Sequence, residues 1–238
     1  MRILFTWRSL AAFVALLFCL AEAHELVHTG LGRLLCGCWG TRDFNVWSLC
    51  AACAHHPLQN LVATLSGPAF SFALMWVGYW LMGPGRSAAS WSLGFALVFA
   101  TIPFARILGA VCMGGNDEVY ALSKIMPYNQ AWALGGAAVL LATVPPLVRA
   151  FATLHPPGRL WVFLGFFLLP TLVLFLVVLG FLNSLLASGF LAAYWILGSP
   201  LLVTCWTALV GLALALTYRF LFWLGRPAGA SPLVAGRP

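Results

Sequence analysis

The residues with the clearest chemistry lie in one short motif near the beginning of the chain. His24-Glu25-Leu26-Val27-His28 is an HExxH sequence. On a helix, residues four positions apart share a face, so both imidazoles can reach one metal ion. Glu25 lies next to that face and could act as a general base on water, as in zinc hydrolases. A catalytic zinc centre also needs a third protein ligand and an open position.

A second group of acids is expected to supply the third ligand. Asn116, Asp117 and Glu118 follow Gly114 and Gly115, two glycines that allow a tight backbone turn. That turn could bring a carboxylate back toward the HExxH helix. We predict Asp117 as the third ligand, with Glu118 in reserve, and an ordinary solvated loop is the alternative.

Membrane-spanning helices must position these residues, because the composition permits little else. Of 238 residues, 63% are hydrophobic and 7% are charged, whereas a soluble domain carries about 25% charged residues. The mean hydropathy is +0.99. These values exclude a soluble enzyme and a disordered protein. The net charge of +7 comes from scattered single basic residues, so it does not indicate a nucleic-acid partner.

The long apolar runs predict an all-α fold, a polytopic bundle of about six transmembrane helices in a lipid bilayer. Acids inside such segments are costly, which makes them functional candidates. The predicted spans are about Leu10–Leu35, Pro57–Met82, Ser90–Met113, Gln130–Phe151, Leu160–Ala187 and Phe190–Leu224.

The first span is expected to be retained rather than cleaved as a signal peptide, because its apolar run continues past Ala23. We divide the chain into a three-helix core at 1–120 that carries the HExxH motif, three further helices at 121–224, and a short disordered tail at 225–238.

Four features in order resemble the site-2 proteases, which are intramembrane zinc metalloproteases. The first is the HExxH motif in an apolar helix, and the second is the partly polar segment 42–57 after it. The third is Gly67-Pro68-Ala69-Phe70-Ser71, similar to the family's GPxxN. The fourth is Asp117, similar to the aspartate of the family's Asp-Gly ligand. The resemblance covers about residues 10–120, with serine in place of the asparagine and Glu118 in place of the glycine.

The resemblance implies a compact enzyme without a PDZ domain that hydrolyses peptide bonds in transmembrane segments of substrate proteins. It implies Zn²⁺ as cofactor, held by His24, His28 and Asp117, with Glu25 as the catalytic residue. It also suggests a bacterial cytoplasmic membrane. Supporting or substrate-positioning roles are considered for Glu22, Gly67, Pro68, Ser71, Arg106, Asn116 and Glu118. The alternative function is a non-catalytic membrane protein that binds or carries metal.

Two charged residues near these motifs have competing interpretations. Glu22 could orient an imidazole, or it could be an interfacial acid. Arg106 could pair with an acid or stabilise an oxyanion, but snorkelling to the membrane interface is the favoured interpretation.

Four cysteines fall close together after the first span. Cys36 and Cys38 form a C-x-C pair, and Cys50 and Cys53 form a C-x-x-C pair followed by two histidines. Free thiols are the favoured state, and a second zinc site or two disulfides are the alternatives.

The distribution of basic residues and the family resemblance imply opposite membrane orientations. With six spans, most basic residues lie on the side of the termini, and the positive-inside rule then places the termini in the cytoplasm. The family resemblance implies the reverse, with the zinc site nearer the cytoplasm. The sequence leaves the orientation open.

Overall fold

Six long apolar helical segments make up the computed structural model, which describes residues 1–53 and 56–226. At 1.5 Å per residue each segment can cross a hydrocarbon core about 30 Å thick. The prediction of an all-α transmembrane bundle is therefore confirmed. The segments are Trp7–Cys36, Pro57–Leu81, Ala88–Ser123, Tyr128–Thr153, Arg159–Ala187 and Leu201–Trp223.

The third segment is broken rather than a single straight helix. It consists of α3 (Ala88–Ala100), α4 (Pro103–Ile107) with a π-helical continuation (Leu108–Met113), and α5 (Asp117–Ser123). Ile102 has a left-handed backbone with φ of 50°, and Pro103 lacks the N–H that would continue the helix. The segment is therefore interrupted twice, at residues 101–102 and at residues 114–116.

The remaining elements are mostly continuous. The first and second spans are α1 (Trp7–Cys36) and α2 (Pro57–Leu81), and the fourth is α6 (Tyr128–Thr153). The fifth combines α7 (Arg159–Leu174), a π-helical stretch (Phe175–Leu182) and α8 (Asn183–Ala187). The sixth combines α9 (Leu201–Thr217) and a 3₁₀ helix (Tyr218–Trp223), and another 3₁₀ turn covers Ala51–Cys53.

The prediction that the sixth span begins at Phe190 is wrong. The helix begins at Leu201, and residues 188–200 form an irregular loop. Gly189 and Gly198 have positive φ angles in this loop, and Pro200 precedes the first helical residue. These residues favour turns, so they end the apolar run as a helix although its hydropathy continues.

The loops gather on two opposite faces of the bundle. On the terminal face (residues 1–6, 82–87, 154–158 and 224–226), β1 (Arg2–Ile3) pairs with β2 (Gly225–Arg226). The His155 N–H also donates to the Met1 carbonyl at 2.9 Å there. Residues 37–53, 124–127 and 188–200 form the opposite face, called the disulfide face below. The predicted tail lies outside the described residues from position 227 onward.

Two disulfides join the four clustered cysteines, so the favoured prediction of free thiols is wrong. Cys36 bonds to Cys53, and Cys38 bonds to Cys50. The segment 37–53, called the disulfide loop, folds back on itself between the paired cysteines, which brings the sulfur atoms together. His55, one of the two histidines considered with these cysteines, lies outside the described residues.

The disulfide loop is a short hairpin held against the bundle. Arg42 and Trp47 form an antiparallel bridge, and the Arg42 N–H donates to the Gly198 carbonyl at 2.8 Å. Asn183 at the end of the fifth span donates its side-chain amide to Asn45 at 2.8 Å. The hairpin therefore contacts both the fifth span and the loop before the sixth.

An aromatic and aliphatic core positions the first three spans. Met75 on α2 and Phe95 and Phe99 on α3 have no exposed surface. Phe166 of α7 packs edge-on against Phe95 with ring centroids 5.0 Å apart. Phe13 of α1 packs edge-on against the same Phe166 ring. Burial of these side chains therefore fixes the distances between the first, second, third and fifth spans, and hence the frame around the HExxH helix.

Candidate metal centre

The HExxH histidines and Asp117 meet at one point inside the bundle. His24 and His28 project from the same face of α1, with their Nε2 atoms 3.1 Å apart. The Asp117 Oδ2 lies 3.3 Å from the first and 3.6 Å from the second. Ligand atoms bound tetrahedrally to one zinc at 2.0–2.2 Å are about 3.3–3.6 Å apart. The two distances to Asp117 match this range and the distance between the Nε2 atoms is slightly shorter, so the donor set suits a zinc ion.

Asp117 and Glu118 occupy different positions although they are neighbours. Asp117 begins α5 directly after the turn at Gly114, whose φ of +63° suits glycine. Glu118 is buried and directed at Arg106 instead, with its Oε1 3.6 Å from Nη1. Among the described residues, only His24, His28 and Asp117 form a group with metal-ligand spacing.

Hydrogen bonds to the far ring nitrogens orient both imidazoles. The His28 Nδ1 lies 2.7 Å from the Ala63 carbonyl of α2, so it carries the proton and leaves Nε2 free. The His24 Nδ1 lies 3.0 Å from the Ser71 Oγ. An Arg106 N–H, which can only donate, lies 2.9 Å from the same Nδ1. The hydrogen bonds therefore fix the tautomer of His28 alone, which presents its Nε2 lone pair to the shared point. Ser71 therefore contacts a candidate ligand, and it also lines the cavity beside Glu25.

Gly67 of α2 makes room for the two imidazoles. A Cβ at this position would collide with the His28 Nε2 and would lie 2.7 Å from the His24 Cε1. Any larger residue would push the rings from their positions. Within the GPxxS sequence, Gly67 thus allows α2 to pack closely against α1. Pro68 follows it inside α2.

Glu25 is placed to handle protons at the edge of the centre. It lines a cavity of about 250 Å³ together with His24, Asp117 and Arg106. Its Oε2 is buried and has no hydrogen-bond partner among the described residues. A buried carboxylate oxygen without a partner is costly, so this atom is available to a water or ligand in the cavity.

Arg106 reaches the centre from α4 and does not snorkel to the interface. Its side chain is buried, and Nη2 lies 2.9 Å from the His24 Nδ1. Nη1 lies 3.9 Å from the Asp117 Oδ2. Asn116 donates its amide to the Arg106 carbonyl at 2.9 Å, which ties the turn before α5 to α4. The favoured snorkelling prediction is wrong, because the Arg106 side chain is buried beside His24, Asp117 and Glu118.

Glu22 does not orient an imidazole and is not an interfacial acid. Its carboxylate is buried and bonds to Arg42 of the disulfide loop at 3.0 Å and to the Thr207 hydroxyl at 2.7 Å. Arg42 also donates to Ser199 at 2.9 Å. Instead of either predicted role, Glu22 forms a buried ion pair with Arg42. The two residues are distant in the sequence, so no local pattern indicates this pair.

The disulfide loop supplies contacts that the sequence did not suggest. The Trp47 ring stacks on the His28 imidazole, with centroids 4.6 Å apart and planes 8° apart. Phe44 and Asn45 line the cavity beside Glu25. A second cavity of about 300 Å³ lies between this loop and Asp117. No local sequence pattern marks these residues, because their contacts depend on how the hairpin folds back.

Comparison of the chain with protein-family models, curated proteins and solved structures finds no match. The geometry of the centre therefore carries the functional argument.

Proposed function

We propose that this multi-pass membrane protein is an intramembrane zinc metallopeptidase that cleaves transmembrane segments of other proteins, in a bacterial cytoplasmic membrane. The observation that carries the proposal is the convergence of His24, His28 and Asp117 within ligand distance beside Glu25. Two imidazoles and a carboxylate form the ligand type of many catalytic zinc sites. The resemblance to site-2 proteases agrees with this reading.

His24, His28 and Asp117 would hold the zinc. Zinc in such a site acts as a Lewis acid that polarises a carbonyl and makes water more acidic. The hydrogen bond from the His28 Nδ1 to the Ala63 carbonyl and the contact between the His24 Nδ1 and the Ser71 hydroxyl hold the imidazole rings in orientation.

Glu25 would carry the proton transfers of peptide hydrolysis. Glu25 lines the cavity, where its carboxylate would take a proton from the attacking water. The same carboxyl group would then deliver that proton to the leaving amine. Arg106 lines the same cavity, and its charge would stabilise negative charge that develops on the carbonyl oxygen.

The centre lies deep among helices, which suits a substrate within the membrane. His24 and His28 are buried, and Asp117 retains more exposure on the cavity side. A transmembrane substrate would need to unwind locally, because helical hydrogen bonds otherwise shield its peptide groups.

Zinc content tests the ligand set. Detergent-purified wild type should hold one zinc per chain, and His24→Ala, His28→Ala and Asp117→Ala should each lose it. Glu118→Gln should retain zinc because its carboxylate faces Arg106. Zinc retained in all three ligand variants would contradict the proposal.

Cleavage tests the role of Glu25. In proteoliposomes, wild type should cleave a doubly labelled single-span peptide, and Glu25→Gln should keep zinc and lose at least about 10²-fold in rate. Asp43→Asn is the matched control, because Asp43 lies in the disulfide loop and contacts Tyr194. Cleavage by Glu25→Gln at the wild-type rate would instead favour a metal-binding role without catalysis.

A further inference from the structure

The two faces of the bundle differ strongly in charge and in cysteine chemistry. The terminal face and the adjoining helix ends carry seven basic residues and no acids within 1–226. The basic residues are Arg2, Arg8, Arg86, Arg149, Arg159, Arg219 and Arg226. The disulfide face and its adjoining helix ends carry three basic residues, Arg33, Arg42 and Lys124. Short loops rich in arginine and lysine remain in the cytoplasm.

The cysteines give an independent argument for the same orientation. Both disulfides lie in the loop that follows α1, on the face opposite the basic residues. Disulfides form and persist in oxidising compartments and are rare in the cytosol. The charge asymmetry and the disulfides therefore agree, although they rest on different physics.

The candidate metal centre lies nearer the disulfide face than the terminal face. His28 is eight residues before Cys36 at the end of α1, which places it about 12 Å from that end. From Trp7 to His24 the same helix rises about 26 Å. The Glu22–Arg42 pair and the Trp47 stack hold the disulfide loop directly against this part of α1.

A polar cavity joins the centre to the disulfide face. It lies against Asp117 and is lined by residues 47–49 of the disulfide loop, which include Trp47 and Leu49, by Asn60 and Thr64 of α2, and by Tyr120 of α5. Polar side chains of this kind hold water, whereas a lipid-facing groove would be apolar. Water can therefore approach Asp117 from the side that carries the disulfides.

We infer that the candidate centre opens to the oxidising, non-cytoplasmic side of the membrane and acts on bonds in the outer part of a substrate's transmembrane segment. The second half of this inference rests on the proposed function, and the first half does not. The orientation is the reverse of the one that the family resemblance implies. It also resolves the conflict between that resemblance and the positive-inside rule in favour of the charges.

Thiol labelling in intact cells tests the orientation without using activity. In a background where Cys19, Cys112 and Cys205 are alanine, Ser188→Cys places a reporter on the disulfide face and Ser87→Cys places one on the terminal face. Both serines are exposed. A membrane-impermeant maleimide should label Ser188→Cys in intact cells and Ser87→Cys only after permeabilisation. The reverse pattern, or equal labelling of both, would overturn the inference.

Alkylation of the wild-type protein after denaturation tests the cysteine argument and does not depend on a folded variant. Without reductant, three thiols should react, and with reductant all seven should react. Seven reactive thiols without reductant, whether free or released from a bound metal, would remove the redox argument and overturn the inference.

Two epitope-tagged single-span substrates test the side of cleavage. Both substrates carry a Gly-Pro pair that weakens the helix. The pair lies in the outer third of the span in one substrate and in the inner third in the other. The outer substrate should be cleaved at least about tenfold faster. Faster cleavage of the inner substrate would overturn the inference that the enzyme acts on the outer part of the transmembrane segment. A zinc-loaded protein that cleaves neither would overturn the proposed function and leave the orientation result standing.

Discussion

His28 is held on three sides by different parts of the chain. The Ala63 carbonyl accepts from its Nδ1, the Trp47 ring stacks on its imidazole plane, and Gly67 leaves room beside Nε2. The ring cannot rotate without losing one of these contacts. Such prior orientation lowers the cost of binding a metal, since the ligand does not need to be ordered at that moment.

We expect Gly67→Ala to abolish zinc binding. The added Cβ would overlap the His28 Nε2 and lie 2.7 Å from the His24 Cε1, so both candidate ligands would have to move. Gly30→Ala is the matched control, because a Cβ there meets nothing within 4 Å. The measurement is zinc per chain in purified protein, and full zinc content in Gly67→Ala would contradict the steric argument.

Trp47→Ala should weaken zinc binding without abolishing it. Aromatic pairs contribute about 0.5–1.5 kcal/mol beyond burial, which corresponds to a factor of about 2–10 in affinity. Trp47→Phe keeps a stacking ring and should remain within about twofold of wild type. Competition with a fluorescent chelator measures both affinities. Equal affinities for wild type and Trp47→Ala would show that the stack does not support the ligand.

At the scale of elements, one buried polar network ties the disulfide loop to two helices. Arg42 bonds Glu22 of α1, Thr207 of α9 and Ser199 just before α9. All its partners are buried or half-buried. Because a buried charge without its partner is costly, this network selects one position of the hairpin over the metal centre.

Removal of one charge from this network should destabilise the protein more than removal of both. Arg42→Ala leaves the Glu22 carboxylate buried without its cation and should cost about 3–5 kcal/mol. The double variant Glu22→Leu with Arg42→Met should recover most of that loss. Thermal unfolding in detergent measures the difference. Arg33→Ala serves as a control, because Arg33 lies near the same face and forms no ion pair among the described residues. A double variant no more stable than Arg42→Ala would contradict this reasoning.

At the scale of the whole molecule, the two disulfides and most of the basic residues lie on opposite faces of the bundle. The disulfides close loops with sequence separations of 17 and 12 residues over the metal centre. The basic residues of the terminal face anchor the other side against lipid head groups. The fold therefore places its disulfides and most of its basic residues at opposite ends of the bundle.

A reductant should lower the thermal stability of the wild-type protein. Each disulfide restricts the unfolded chain and contributes about 2–4 kcal/mol. A variant with serine at positions 36, 38, 50 and 53 should start at a lower Tm and show no further change with reductant. The reductant effect should match the Tm difference between the two proteins. An unchanged wild-type Tm under full reduction would contradict the stabilising role.

The sequence by itself determined the helical bundle and the composition of the candidate centre. Hydropathy acts along the chain, so six apolar segments were visible directly, and the i, i+4 spacing put His24 and His28 on one face of a helix. The choice of Asp117 over Glu118 also began from local features, namely the glycine turn and the order of motifs. Apolar length could not reveal that the sixth helix begins only at Leu201, because turn-forming residues interrupt the helix without lowering hydropathy.

Only the tertiary structure decided which distant groups meet. Glu22 and Thr207 are 185 residues apart, and Arg106 reaches His24 across 82 residues. The cysteine pairing and the Trp47 stack depend on a hairpin whose path no local pattern specifies. In the membrane, buried polar groups must find partners within the protein because lipid offers none. The requirement is general, but the partners are selected by the packing of the whole bundle.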